Sequence, residues 1–252
     1  MTEPVDALRA SDPILASLMD GLEPVDLRAW RAHWSLDPFR SLARAIVGQQ
    51  IATRAATAIF DRLQGLIGDR DPATAIAAAS DQELRSVGLS AAKAASLRDL
   101  AARTLDGRLE LDRIDDLTDD EAKVQLTAVR GIGAWTAEMF LLGQLGRPDI
   151  LPAGDLGIRH AVKEAYGLDH VPSEGEVRAI SEPWRPNRSL ATAYLYRSLR
   201  RGRPPASEQA SDPGRREPGH SPSRRQAASS FPSGDIDAMN AEIERGYLDH
   251  GS

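Results

Sequence analysis

The 252-residue chain has no cysteine, only 5% aromatic residues, and more acid than base: 37 Asp and Glu against 31 Lys and Arg, a formal charge of −6. Without cysteine there are no disulfides, thiolate zinc sites, cysteine-ligated iron–sulfur clusters or cysteine nucleophiles. The acidic balance excludes a uniformly cationic coat for nucleic acid, yet it is compatible with a local nucleic-acid face on an acidic body. No apolar run approaches the ~20 residues that span a bilayer. Residues 1–9 carry acids where a signal peptide has its apolar core. A cytoplasmic protein is expected. The hydrophobic share of 41% suffices for a real core, in one large domain or two small ones.

The composition changes at residue 201. The text RGRPPASEQASDPGRREPGHSPSRRQAASSFPSGD (201–235) is almost devoid of apolar residues, too few to offset the entropy of ordering. Residues 201–234 are expected to form a disordered linker. Residues 235–252 place Ile236, Met239, Ile243 and Leu248 at roughly helical spacing behind Asp235, a pattern for a short helix.

Residues 1–200 read as all-α. Alanine and leucine dominate, and alternating β-branched runs are scarce. Helix starts are marked by Ser11-Asp12-Pro13, Asp37-Pro38, Asp71-Pro72, Ser80-Asp81 and Ser90, and by Thr118 followed by three acids. Further helices are expected over 53–67, 155–166, 173–182 and 187–199, about ten in all, with short links.

The most informative stretch is LTAVRGIGAWTA (126–137). Gly131 and Gly133 flank Ile132 between two helices. Glycines permit backbone angles that other residues resist, and they clear Cβ atoms from the surface. Backbone N–H groups can then approach an anion, helped by the partial positive charge of the following helix start. Ile132 would anchor the turn in the core. Taken alone, the pattern also fits a ligand-free turn. Downstream, LPAGDLGIRHAV (151–162) holds Asp155 where a loop enters a helix, a position that alone reads as an N-cap. Upstream, FRSLARAIVGQQI (39–51) is an apolar helix ending in Gln49 and Gln50, which reads as a ligand-facing edge or a solvated helix end.

In this order and spacing the three blocks resemble the helix-hairpin-helix DNA glycosylase superfamily, and within it the 3-methyladenine DNA glycosylase II branch, over about residues 37–199. The resemblance implies two helical subdomains facing each other across a DNA-binding cleft. It implies the short form, without the N-terminal β-rich domain of some members. The chemistry implied is hydrolysis of the N-glycosidic bond of a flipped, alkylated purine of the 3-methyladenine or 7-methylguanine type. Asp155 would be the carboxylate that stabilises positive charge developing on the sugar. In bifunctional members a lysine stands two residues after the second hairpin glycine and forms a Schiff base with the sugar. Trp135 stands there in this chain and cannot form an imine, so the resemblance implies a monofunctional enzyme that leaves an abasic site. The base pocket would be drawn from Trp135, Met139, Leu156, Trp184 and Asn187. Trp135 reads first as a pocket residue and second as a core tryptophan packing the hairpin, whereas Trp184 reads equally as a structural residue.

Gln49, Gln50 and Ile51 match the loop that fills the gap left by a flipped base. The backbone N–H groups of Gly131, Gly133 and Thr136 would hold a phosphate, with Arg130 beside them. Arg159, Arg188, Arg197 and Lys93 are further phosphate candidates, or else solvated charges. By analogy alone, the carbonyls of Thr127, Val129 and Ile132 would hold Na+ or K+, and no other cofactor is expected. The expected partner is duplex DNA, bound by a monomer in the nucleoid. Two alternatives remain open: a non-catalytic damage-binding module, which would need the hairpin but not Asp155, and a glycosylase for deaminated or etheno purines.

Overall fold

Short-range signals set most of the helix boundaries. The structure, a computed structural model, describes residues 3–27 and 37–199; the expected linker and terminal helix at 201–252 lie outside the described residues. The described residues form twelve α-helices and two 3-10 segments, with no strand. In the N-terminal part these are α1 (Pro4–Ser11), α2 (Pro13–Asp20), α3 (Pro38–Gly48), α4 (Thr53–Ile67), α5 (Pro72–Ala78), α6 (Asp81–Ser86) and α7 (Ala91–Leu105). A 3-10 segment, Leu111–Asp116, leads to α8 (Asp119–Thr127), α9 (Ala134–Gly143), α10 (Leu156–Tyr166), α11 (Glu174–Ile180) and α12 (Arg188–Ser198). Asp12, Asp37 and Asp71 each accept a backbone N–H from the first turn of the helix they precede, with proline just inside. Ser80, Thr118 and Ser173 form full capping boxes with Glu83, Glu121 and Glu176.

The expected helix over 173–182 ends earlier, at Ile180, and Pro183 sits in a separate 3-10 turn, Glu182–Trp184. Proline has no N–H to continue the ladder and its ring crowds the preceding turn. The 3-10 segment at Leu111–Asp116 has no counterpart among the sequence expectations.

The helices divide into two bodies. In the first, α3 packs on α4 and α7, α5 on α7, and α8 on α9. The second joins the two ends of the described chain: α10 and α12 pack on each other and on α2, while α1 packs on α2 and α12. Between them runs α9, buried from Thr136 through Gly143. A helix with so little polar face belongs in the interior.

The crossing from α9 to α10 is tied down along its length. Ser189 Oγ donates to the Arg147 carbonyl at 2.5 Å and accepts from Ile150 N at 2.9 Å, and Thr192 Oγ1 donates to the Ile150 carbonyl at 3.2 Å. Arg188 closes on Asp149 at 2.7 Å. These bonds bring residues 151–155 to the junction of the two bodies.

Candidate active site and nucleic-acid interface

Asp155 caps α10, accepting Ile158 N at 2.9 Å. Its capping and catalytic readings are therefore compatible: the cap aims the side chain. Burial pushes its carboxyl above the usual carboxylate range. The bond from Ile158, the Trp135 indole and the Tyr196 hydroxyl oppose that shift without cancelling it.

Three elements supply these groups. Trp135 lies in the first turn of α9 and is half-buried. Met139, one turn on, is buried, and the Tyr196 hydroxyl on α12 lies 3.8 Å from its Sδ and also faces Asp155. Burial holds the Tyr196 phenol protonated far above its ordinary range. Leu156, beside Asp155, is 52% exposed, an unusual setting for a large apolar side chain next to a partly buried carboxylate. With Met139 and Tyr196 buried, Trp135 and Leu156 present the aromatic and apolar surface beside one electron-rich oxygen pair, suited to a flat, electron-poor ring.

Sequence reasoning passed over Tyr196. The one available signal was compositional: only four tyrosines occur, and Tyr194 and Tyr196 share the final helix.

Trp184 requires correction as a pocket residue. It is fully buried, and its indole N–H donates to Asp12 Oδ2 at 2.8 Å. Tyr166 donates its hydroxyl to the same oxygen. Trp184 ties α1 and α2 to the C-terminal helices and offers no face to a ligand. Asn187 is half-exposed at the start of α12, where its backbone N–H bonds the Trp184 carbonyl at 2.7 Å.

The hairpin lies between α8 and α9. Gly131 adopts φ +81°, and a Cβ there would come within 2.7 Å of Ser96 Oγ on α7, so both backbone angle and space demand glycine. Ile132 is buried as the anchor, and Gly131 and Gly133 are exposed. Gly133 caps α9 without a side-chain acceptor, so the first-turn amides meet no capping oxygen. Thr136 is buried, and its Oγ1 has no partner among the described residues.

Gln50 is exposed and takes φ +59°, the one left-handed non-glycine among the described residues. Such a backbone costs energy and persists only where its surroundings hold it. Ile51 beside it is half-buried. Gln49 does not face outward alone: its Nε2 donates to the Gly131 carbonyl at 2.8 Å.

The candidate phosphate cations separate sharply. Arg130 is exposed. The other four answer acceptors inside the fold: Lys93 the Val47 carbonyl, Arg159 the Pro172 carbonyl, Arg188 Asp149, and Arg197 the carbonyls of Glu23 and Pro24. Orphan carbonyls at helix ends and in loops recruited them.

The chain is similar to known proteins in both sequence and fold. DNA-3-methyladenine glycosylase 1 of Schizosaccharomyces pombe is 33% identical over 165 residues, 64% of this chain and 72% of that protein. A putative DNA-3-methyladenine glycosylase of Bacillus subtilis is 30% identical, and the match spans 58% of its length. Among solved structures, the S. pombe 3-methyladenine DNA glycosylase in complex with abasic DNA aligns at a TM-score of 0.63 and 30% identity, covering 77% of this chain and 95% of that one. A DNA-3-methyladenine glycosidase from Bacillus halodurans aligns at 0.66 and 29%, covering 80% and 90%. Residues 43–186 match the family model of HhH-GPD superfamily base excision DNA repair proteins, and the chain belongs to that superfamily.

Proposed function

We propose that the chain is a monofunctional DNA glycosylase that flips alkylated purines out of duplex DNA and releases them by hydrolysis, leaving an abasic site. The observation that carries this reading is the partly buried Asp155 carboxylate, raised by burial and faced by Trp135 and Tyr196.

A purine carrying an extra alkyl group at a ring nitrogen is cationic and already a good leaving group, so a general acid at the base is not needed. Its positive ring is attracted to the π face of the half-buried Trp135. As the base departs, the sugar becomes oxocarbenium-like. Ionised Asp155 stabilises that charge in a site partly shielded from water, and it orients or deprotonates the attacking water. Burial makes Asp155 a stronger base than an ordinary aspartate.

Trp135 has no amine, so no Schiff base forms at that position and the strand stays intact. Borohydride should trap no covalent protein–DNA adduct. The exposed hairpin amides at Gly131, at Gly133 and in the first turn of α9 would hold a phosphate, with Arg130 adding charge. Gln50 would fill the vacated stack.

The carbonyl trio suits a monovalent cation: Val129 accepts Ile132 N at 3.1 Å, and neither the Thr127 nor the Ile132 carbonyl is taken up by the turn. When bound, the ion would add positive charge beside that phosphate. We expect the protein to work as a monomer on nucleoid DNA.

The test is base release from methylated duplex DNA by wild type and Asp155→Asn, resolving 3-methyladenine from 7-methylguanine. Release by wild type alone is expected. No release by either, with binding to abasic duplex intact, would replace the enzyme with a damage-binding module or move the substrate to a non-alkylated lesion.

A further inference from the structure

Gln50 and the hairpin are separate in sequence, yet one helix and one side chain hold them together. The helix is α7. Its residues Lys93, Ser96, Asp99 and Arg103 follow at steps of three, three and four, so they share one face. Lys93 Nζ donates to the Val47 carbonyl at 2.6 Å, gripping the last turn of α3 just ahead of Gln50. Ser96 lies against Gly131, closely enough to exclude a Cβ. Asp99 accepts the Arg130 backbone N–H at 2.7 Å and is held by Arg103 at 2.9 Å. Burial of Asp99 is outweighed by these bonds, which keep its carboxyl below the usual range and therefore ionised. The side chain is Gln49, whose bond to the Gly131 carbonyl closes the bracket at 2.8 Å.

We propose that Gln49 is a positioning residue that couples the Gln50 loop to the hairpin, with the face of α7 as their common base. The proposal rests on reading Gln50 as the residue that enters the stack. Gln49 then acts through Gln50 and through the hairpin, by way of the protein rather than by touching DNA. The physical consequence concerns where binding energy goes. A phosphate held by the hairpin is at a set distance from Gln50, because three bonds and a steric contact hold the two segments together. Contacts to the unreacting backbone can then drive the costly opening of the stack. The left-handed backbone of Gln50 needs such support, since an unsupported glutamine leaves that region readily.

The test is a double-mutant cycle on the full chain. The probe is a duplex carrying a tetrahydrofuran abasic analogue opposite 2-aminopurine, whose fluorescence reports entry of a residue into the stack and requires no base excision. Gln49→Met preserves side-chain length and loses the donor; Gln50→Ala removes the wedge. At saturating protein, Gln49→Met should lower the fluorescence change by about threefold, the scale of one lost hydrogen bond. Its melting temperature should stay near wild type. In the Gln50→Ala background, Gln49→Met should cause no further loss. A full signal from Gln49→Met overturns the proposal, as do losses that multiply in the double variant. A full signal from Gln50→Ala alone removes the wedge reading first and the coupling with it, so the two failures are distinguishable.

Discussion

Asp12 and Asp155 are the same device used at two places. Each is an aspartate at a helix start, each accepts first-turn amides, and each has a tryptophan and a tyrosine beside it. Their protonation equilibria move in opposite directions. At Asp12 burial raises the carboxyl, but four donors outweigh it: Trp184 at 2.8 Å, the Tyr166 hydroxyl, Leu15 N at 3.0 Å and Ile14 N at 2.9 Å, two on each oxygen, and the net shift is downward. At Asp155 burial prevails over its donors. The contrast separates a structural carboxylate from the one proposed to act in catalysis. A charge whose donors outweigh its burial is held ionised and inert, whereas one whose burial prevails retains basicity that a developing cation can use.

Four experiments test that contrast, from the largest expected effect to the smallest. Asp155→Asn should reduce base release by about a thousandfold or more, the scale of losing a preorganised electrostatic group. It should nevertheless melt no lower than wild type, and higher at neutral pH. Asparagine caps a helix as well as aspartate does, and the raised carboxyl destabilises the fold once it ionises. A lower melting temperature would make Asp155 a second Asp12.

Asp12→Ala should do the reverse. It removes a cap and leaves a buried indole N–H and a buried hydroxyl unpaired, so denaturant unfolding should show a loss of about 3 kcal/mol. Base release per folded molecule should be unchanged, and a catalytic loss at intact fold would contradict the structural assignment.

Glu138 lies between these cases. It is buried on α9 and raised by burial despite its ion pair with Lys123 at 3.0 Å. Lys123→Met should cost about 2 kcal/mol at neutral pH, where Glu138 would be buried as an uncompensated charge. Because protonation neutralises Glu138, the loss should shrink as pH falls. A pH-independent loss in urea melts would assign the effect to packing.

The tyrosines give the finest test. Burial raises Asp155 and the Tyr196 hydroxyl pulls it down, so Tyr196→Phe should move the acid limb of the pH–rate profile to higher pH. Tyr166 helps to lower Asp12, whose stabilisation is present above its ordinary pKa and lost as pH falls through the lowered value. Tyr166→Phe should therefore move the acid-unfolding midpoint to higher pH and leave the pH–rate profile in place. Swapped outcomes would erase the distinction.

Much of this was legible in the chain itself. The helix starts at Asp12, Asp37, Asp71, Ser80, Thr118 and Ser173 follow from acceptors and donors two or three residues apart. Gly131 and Gly133 marked the turn, and Asp155 was conspicuous at a loop–helix entry. The contacts of Tyr196, Trp184 and Gln49 were not legible. Tyr196 reaches the site only because α12 packs on α10. Trp184 had the aromatic chemistry of a pocket residue, and a partner 172 positions away took its N–H. Gln49 had the polarity of a DNA contact, and a carbonyl 82 positions away accepted its amide.

The sequence by itself determined which residues begin most helices, that glycines mark the hairpin turn, and that the hairpin position open to a lysine holds Trp135 instead. These follow from bonds and steric limits within a few residues. Only the tertiary structure decided which of two similar aspartates has its carboxyl raised. The two carboxylates have like sets of donors, so that choice depends on how much water the packing of distant helices removes from each, a quantity not written in local sequence.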